Sequence, residues 1–294
     1  MLLKRQKIAN ILSIACLQSV IISSLYISHT AEKAQSFPLD HNKYKLSQPQ
    51  NKQASNVGKF KLIYDSNTRY KNLEQIFQES GLFSDVVNDL NNQKLNLPVD
   101  VPIIFSDCGQ ANAFYSPQKK IIVMCYELFE EIEKTLSPKY SSLSEVRVNS
   151  ILTGIFVLYH ELGHGLTDIF QLAITGREED AVDEFASILL LRNNNPRADE
   201  IVENASIFFS STQSTYQGVH SFGQQRFYNI ICLLYGSNPQ QHADIPQKVN
   251  LGSRANLCPN EYKQKLSSWQ RLLAPHSIYD TGNPEVESGN IIKW

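Results

Sequence analysis

The chain has 294 residues, 42% hydrophobic and 10% aromatic, so it can bury a sizeable core and is most simply one folded domain with appended segments. Its formal net charge of −2 at pH 7 argues against a nucleic-acid partner, because domains that bind nucleic acids carry basic patches. The charge identifies no other class of partner.

Residues 1–31 are typical of an export signal. Lys4, Arg5 and Lys7 precede an apolar run over residues 8–27, which is the order of the basic and apolar regions of a secretory signal. A run of about 20 residues is also long enough for a retained membrane anchor. We therefore expect an exported protein on the periplasmic or extracellular face, with this segment as its only contact with a membrane.

Residues 32–58 form a predicted disordered tether, because they are rich in Gln, Asn, Ser and Lys and too poor in apolar residues to bury a core. The folded domain is predicted over residues 59–275. Residues 276–294 lack hydrophobic periodicity and form a predicted irregular tail.

Four cysteines follow the signal segment, namely Cys108, Cys125, Cys232 and Cys258. An even number in an oxidising compartment suggests two disulfides, most economically Cys108 with Cys125 and Cys232 with Cys258. Other pairings, or free buried thiols, are the alternatives.

Hydrophobic periodicity and turn residues predict the elements of the domain in chain order. Two strands are predicted over residues 60–64 and 101–105, separated by a helical region over 69–93 that breaks at Ser80 and Gly81. Two β-rich runs between Cys108 and Cys125 flank a turn and predict a hairpin. Helices are predicted over residues 126–136, 144–172, 197–210, 222–235 and 254–273. Gly176 is predicted to end the helix that precedes it, and one more helix is predicted to follow Gly176. This order predicts an α+β fold that is mostly helical with a small sheet.

The central feature is a nearly apolar stretch, residues 151–172, that contains His160-Glu161-x-x-His164. On a helix the two imidazoles lie one turn apart on the same face, which suits two ligands of a tetrahedral zinc ion. Zinc lowers the pKa of a water molecule that it binds to about 7, so Glu161 can accept the proton as a general base without being a ligand.

Two other interpretations of residues 151–172 remain open on the sequence alone. An apolar stretch of about 20 residues can form a transmembrane helix, although His160, Glu161 and His164 would then lie near the middle of the bilayer. The two histidines could instead be core residues satisfied by hydrogen bonds.

A catalytic zinc ion needs a third protein ligand. Glu179, in the acidic first turn of the next predicted helix, is the expected ligand, with Glu178 and Asp183 as alternatives. Asp183 lies one helical turn after Glu179 and is expected to accept a hydrogen bond from a ligand histidine. Glu178, Asp180 and Glu184 are expected to form a solvated face.

Two further segments are predicted to serve the same site. Asn112, Ala113 and Phe114 are the candidate edge strand along which a peptide substrate adds as an extra strand. The alternative is a core strand with Phe114 packed inward. His220 precedes a predicted helix and is a candidate for stabilising an oxyanion, or alternatively a histidine at a helix start with no chemistry.

These motifs resemble known zinc metallopeptidases. His160-Glu161-x-x-His164 followed by Glu179-x-x-x-Asp183 is similar to the gluzincins, in which a glutamate on a following helix is the third zinc ligand. Over most of its folded part the chain also resembles a bacterial metallopeptidase family, domain of unknown function 4344. The motifs that carry this resemblance are Cys108-Gly-x-Ala-Asn-Ala-Phe-Tyr, the HELGH helix, Gly176-Arg-Glu-Glu-Asp-Ala, and His220-Ser with Gln225-Arg-Phe-Tyr-Asn. The resemblance implies a zincin-like fold and zinc chemistry, and it leaves the substrate unassigned.

The sequence therefore predicts a zinc metallopeptidase that acts on peptides or proteins, with Zn²⁺ on His160, His164 and Glu179 and with Glu161 as general base. The alternative, from another class, is a catalytically inactive, zinc-stabilised binding or scaffold domain of the cell envelope.

Overall fold

The computed structural model describes residues 57–192, 196–212 and 218–278. The predicted signal segment and the predicted tether up to residue 56 lie outside the described residues, as does the predicted tail beyond residue 278. The described elements are, in chain order, β1 Phe60–Tyr64, α1 Lys71–Ser80, α2 Leu82–Asn92, β2 Val101–Ser106, β3 Ala113–Ser116, β4 Ile121–Cys125, α3 Tyr126–Leu136, α4 Leu143–Phe170, α5 Glu178–Leu191, α6 Pro196–Ser210, α7 Gly223–Ser237, α8 Ile245–Lys248 and α9 Cys258–Leu273.

The four strands form one mixed sheet in the order β1-β2-β4-β3. β1, β2 and β4 run parallel, while β3 pairs antiparallel with β4 and forms an edge of the sheet. Every residue of β2 and β4 is buried, as expected for parallel strands covered on both faces. Helices thus predominate around one small sheet, and the predicted α+β class is confirmed.

The predicted hairpin and both predicted disulfides are present. In the hairpin, Phe114 of β3 lies opposite Val123 of β4. The Cys108–Cys125 disulfide joins the loop before β3 to the end of β4. The second disulfide, Cys232–Cys258, joins α7 to the start of α9. The cysteine pairing predicted from the sequence is therefore confirmed.

The central helix α4 begins with a capping box. Ser142 Oγ accepts a hydrogen bond from the Glu145 N–H, and the Glu145 carboxylate accepts one from the Ser142 N–H, which satisfies two amide groups at the helix start. The helix then packs against α3, α5, α6 and the β3–β4 hairpin. A helix enclosed in this way can be apolar on nearly all sides. None of the helices in the described ranges, α4 included, has both the length and the hydropathy of a membrane span.

Two predicted helix boundaries are wrong. α4 ends at Phe170, before both the end of the predicted range at residue 172 and the predicted stop at Gly176. Gln171 adopts the left-handed conformation at φ 50°, and the Leu172 N–H donates to the Thr167 carbonyl. The hydrophobic pattern continues past this end because the side chain of Leu172 still packs against the core. The last predicted helix is two elements, a 3-10 turn over Gly252–Asn256 and α9 from Cys258.

α4 and α5 lie very close together at Gly163. A Cβ atom at this position would lie 2.8 Å from Cβ and Cγ1 of Val182 and 3.2 Å from Cδ1 of Phe185. Glycine costs about 1 kcal/mol relative to alanine in a helix interior. The close approach explains why the glycine is nevertheless present.

We predict that Gly163→Ala destabilises the protein by about 1–2 kcal/mol, because overpacking against Val182 outweighs the higher helix propensity of alanine. In a domain of this size, thermal denaturation should show a melting temperature lower by roughly 2–4 °C per kcal/mol. Gly176→Ala is the matched control, because a Cβ there meets no atom within 4 Å. Equal melting temperatures for the two variants would contradict the prediction.

Candidate metal centre

Three imidazoles converge on one carboxylate oxygen. His160 and His164 lie one turn apart on α4, Glu179 lies in the first turn of α5, and His220 lies just before α7. The Oε2 atom of Glu179 is 3.3 Å from Nε2 of His160, 3.5 Å from Nε2 of His164 and 3.0 Å from Nε2 of His220. All three imidazoles thus contact Glu179. Within the described residues, however, the group whose ligand atoms all lie within 4.8 Å of one another is His160, Glu179 and His220, and it does not include His164.

The chemistry of this cluster fits a metal ion. Within the described residues, Oε2 of Glu179 is buried and accepts no hydrogen bond, although three ring nitrogens surround it. A buried polar atom without a hydrogen bond needs another partner. Tetrahedral zinc binds nitrogen and oxygen at about 2.0–2.2 Å, which places its ligand atoms about 3.3–3.5 Å apart. The observed separations of 3.0, 3.3 and 3.5 Å are close to that spacing.

Both histidines of α4 contact a carboxylate of α5 through their other ring nitrogen. Nδ1 of His160 lies 2.8 Å from Oδ1 of Asp183, and Nδ1 of His164 lies 2.6 Å from Oε1 of Glu178. An ionised carboxylate only accepts hydrogen bonds, so Nδ1 carries the hydrogen in both rings. Each ring therefore directs Nε2 towards Glu179, as in the carboxylate–histidine–metal arrangement of metalloproteins.

The charges of these residues are strongly coupled. Burial alone would lower the pKa of His160, but the carboxylates of Asp183 and Glu179 outweigh it and raise that pKa to about 9. Burial also opposes ionisation of Glu179, yet the surrounding imidazoles hold its pKa well below its usual range. Because imidazole must lose a proton to bind a metal through Nε2, a divalent cation at this position would take the place of protons held by the cluster.

Asp183 is fixed by Arg226, which lies on α7. Nε and Nη2 of the guanidinium donate to Oδ2 and Oδ1 of Asp183, both at 2.7 Å, and the two side chains are 4% and 5% exposed. The guanidinium also lies 3.6 Å above the ring of Phe209. Burial alone would raise the pKa of Asp183, but Arg226 lowers it. Asp183 therefore stays ionised and orients the His160 ring.

Glu161 faces the edge strand β3. Its Oε2 atom accepts a hydrogen bond from the Tyr115 N–H at 2.9 Å. The Tyr115 ring lies over Gly165, where a Cβ atom would come within 3.3 Å of it, and the Tyr115 hydroxyl donates to Asp168 at 2.7 Å. Burial raises the pKa of Glu161 above the ordinary value for glutamate, which is the direction that favours a general base near neutral pH.

The register of β3 identifies the backbone groups at the outer edge of the sheet. The Cys125 N–H donates to the Asn112 carbonyl, so residues 112, 114 and 116 form the hydrogen-bonded pairs with β4. Ala113 and Tyr115 consequently direct their N–H and C=O groups away from β4. Ala113 and Tyr115 also pack against the core cluster, and every residue of β3 is partly exposed.

A family model described as "Putative metallopeptidase" (DUF4344) matches residues 64–273. The chain belongs to this family. The match extends from the end of β1 to the end of α9 and includes every residue of the candidate centre. Neither a curated protein nor a solved structure matches the chain. Membership of the DUF4344 family supports peptidase activity and implies a metal. A possible site for the metal is the cluster of His160, Glu179 and His220, whose ligand atoms all lie within 4.8 Å of one another.

Two contacts of this DUF4344 site, Glu178 with His164 and Tyr115 with Glu161, are missed from the sequence. Glu178 was assigned to a solvated face, but it contacts His164, and Glu184 pairs with Lys265. No pattern distinguishes Glu178 from its acidic neighbours. Arg226 is the single charged residue of α7, which indicates a buried partner, and Asp183 is that partner. The contact of the Tyr115 N–H with Glu161 involves the backbone and leaves no trace in residue identity.

We predict that Arg226→Met lowers the free energy of unfolding by about 3–5 kcal/mol, because it leaves the Asp183 carboxylate buried without its cation. Urea denaturation of the metal-free protein measures this loss. The double variant Asp183→Asn/Arg226→Met is the control, and it should lose less because no buried charge is left unpaired. A double variant less stable than Arg226→Met would contradict this explanation.

Proposed function

We propose that the protein is a zinc-dependent metallopeptidase whose metal ligands are His160, His164 and Glu179. The observation that carries the proposal is the convergence of three imidazole nitrogens on the buried Oε2 of Glu179, with the Glu161 carboxylate on the same helix as two of them. The donor set of imidazole nitrogen and carboxylate oxygen is typical of catalytic zinc.

When bound, zinc would supply a Lewis acid that polarises the scissile carbonyl and makes water a better nucleophile at neutral pH. Glu161 then takes the proton from the attacking water and returns it to the amine that leaves. The Tyr115 N–H holds the Glu161 carboxylate in one orientation during this transfer. Asp183 and Glu178 hold the rings of His160 and His164 by their Nδ1 atoms.

A peptide substrate would add to β3 as a further strand. Ala113 directs its backbone N–H and C=O groups to the outer edge, and the next residue with that orientation, Tyr115, contacts Glu161. Hydrogen bonds to the main chain bind an extended peptide with little regard to its side chains. Three residues are proposed to bind the substrate, Asn112, Ala113 and Phe114. Of these, Ala113 would make the main-chain hydrogen bonds to the peptide.

His220 is the proposed catalytic partner of Glu161. His220 lies in the loop before α7, its Nε2 atom is 3.0 Å from Oε2 of Glu179, and its side chain is 47% exposed. A partly exposed imidazole beside the metal can donate a hydrogen bond to the oxyanion that forms when water attacks the carbonyl.

We also propose that the protein acts outside the cytosol. The two disulfides, Cys108–Cys125 and Cys232–Cys258, support this location because disulfides form and persist in oxidising compartments. An inactive, zinc-stabilised scaffold domain would use the same ligands, but it would have no use for Glu161, a buried carboxylate whose pKa burial raises.

The metal is tested by elemental analysis of the purified protein. We expect about one zinc per chain in the wild type and a loss of most of it in His164→Ala, because a site with fewer ligands binds zinc more weakly. His276→Ala is the control, since that ring stacks on Phe170 and lies outside the cluster. The absence of zinc from the folded wild type after reconstitution would refute the proposal.

The general base is tested by Glu161→Gln. We expect unchanged zinc content and a rate of peptide hydrolysis lower by a factor of about 10²–10⁴, because the amide cannot accept the proton. Cleavage of an unfolded protein such as casein, followed by mass spectrometry, measures the rate. The control is Glu131→Gln on α3, which should keep the wild-type rate because Glu131 contacts only Lys134 among the described residues. Full activity of Glu161→Gln would refute the assigned role.

A further inference from the structure

His220 differs from the other members of the metal centre in how the fold holds it. The side chains of His160, His164 and Glu179 lie on helices α4 and α5 and are 5%, 17% and 15% exposed. His220 lies in the loop before α7, and its side chain is 47% exposed. Its Nε2 atom is nevertheless the closest of the three ring nitrogens to Oε2 of Glu179, at 3.0 Å.

This position is that of a metal ligand. The ligand atoms of His160, Glu179 and His220 all lie within 4.8 Å of one another. The separation of His220 Nε2 from Glu179 Oε2, 3.0 Å, is close to the spacing of about 3.3–3.5 Å between two ligands of tetrahedral zinc. A histidine that served only to stabilise an oxyanion would have to reach the substrate oxygen, and it would have no reason to contact a carboxylate oxygen that binds the metal.

We propose that His220 is a fourth protein ligand of the metal when no substrate is bound. This inference rests on the proposed zinc site. A catalytic zinc keeps one position open for water or substrate, whereas four protein ligands close the coordination sphere. The resting site is therefore closed, and a peptide must displace His220 before it can be cleaved.

The structure favours His220 as the ligand that is displaced. Nδ1 of His160 and Nδ1 of His164 each contact a carboxylate of α5, and loss of such a partner typically weakens metal binding by a factor of about 10–100. Across the ranges that the structure describes, His220 has no comparable partner on its Nδ1 atom. It is therefore the most weakly supported of the three imidazoles, and it is the one on a loop. Once displaced, it remains beside the site and can donate to the oxyanion.

X-ray absorption spectroscopy of the zinc-loaded full-length protein tests the proposal directly, because the imidazole contribution to the spectrum reports the number of histidine ligands. We expect three imidazoles in the wild type and two in His220→Ala. Two imidazoles in the wild type would overturn the proposal, and this result does not depend on whether the variant folds.

Competition with a chromophoric chelator gives a second measurement. His220→Ala should bind zinc at least about tenfold more weakly than the wild type, since loss of a ligand should cost at least as much as loss of a ligand's carboxylate partner. His276→Ala, with its ring stacked on Phe170, should keep the wild-type affinity. Equal affinity of His220→Ala and wild type would overturn the proposal.

If zinc binds and hydrolysis depends on Glu161 but His220 does not affect affinity, this inference alone fails and the peptidase function stands.

Discussion

The metal centre depends on the close contact between α4 and α5 at Gly163 and Val182. The two helices carry complementary groups, because α4 supplies two imidazoles and α5 supplies the three carboxylates that face them. Without a side chain at Gly163, the helices come near enough for Glu179 to lie between the two rings while Asp183 and Glu178 reach their outer nitrogens. A slightly wider separation would break all of these contacts together.

This arrangement buries charges that the fold must neutralise. An ion pair removed from water gains stability only when its partners are well placed, and Arg226 meets that requirement for Asp183 with two hydrogen bonds at 2.7 Å. Glu179 has no such partner among the described residues, and its Oε2 atom is surrounded only by imidazoles. The contrast indicates that Asp183 is held by the protein itself, whereas Glu179 fits the metal ion that membership of the family implies.

Much of this could be predicted from the sequence, and the limits have physical causes. Periodicity predicted the strands, the hairpin and the central helix, because burial imposes a regular pattern along an element. Helical spacing placed His160 and His164 on one face, and the cysteine count predicted both disulfides. The end of α4 was misplaced because Leu172, although only partly buried, still packs against the core after the helix stops. Contacts made through the backbone, such as that of Tyr115 with Glu161, leave no signal in the identity of a residue.

The edge strand β3 is joined by several contacts to the helix that carries Glu161, the proposed general base. Tyr115 makes two hydrogen bonds to α4, from its backbone N–H to Glu161 and from its hydroxyl to Asp168. Lys120 forms an ion pair with the same Asp168. At the other end of the hairpin, the Cys108–Cys125 disulfide holds the loop before β3 against β4. A peptide that adds to β3 would therefore be placed relative to Glu161 by covalent and hydrogen-bonded connections and would not depend on a mobile loop. Precise placement of the reacting groups contributes much of an enzyme's rate, and in the proposed reaction these contacts would establish it before the substrate arrives.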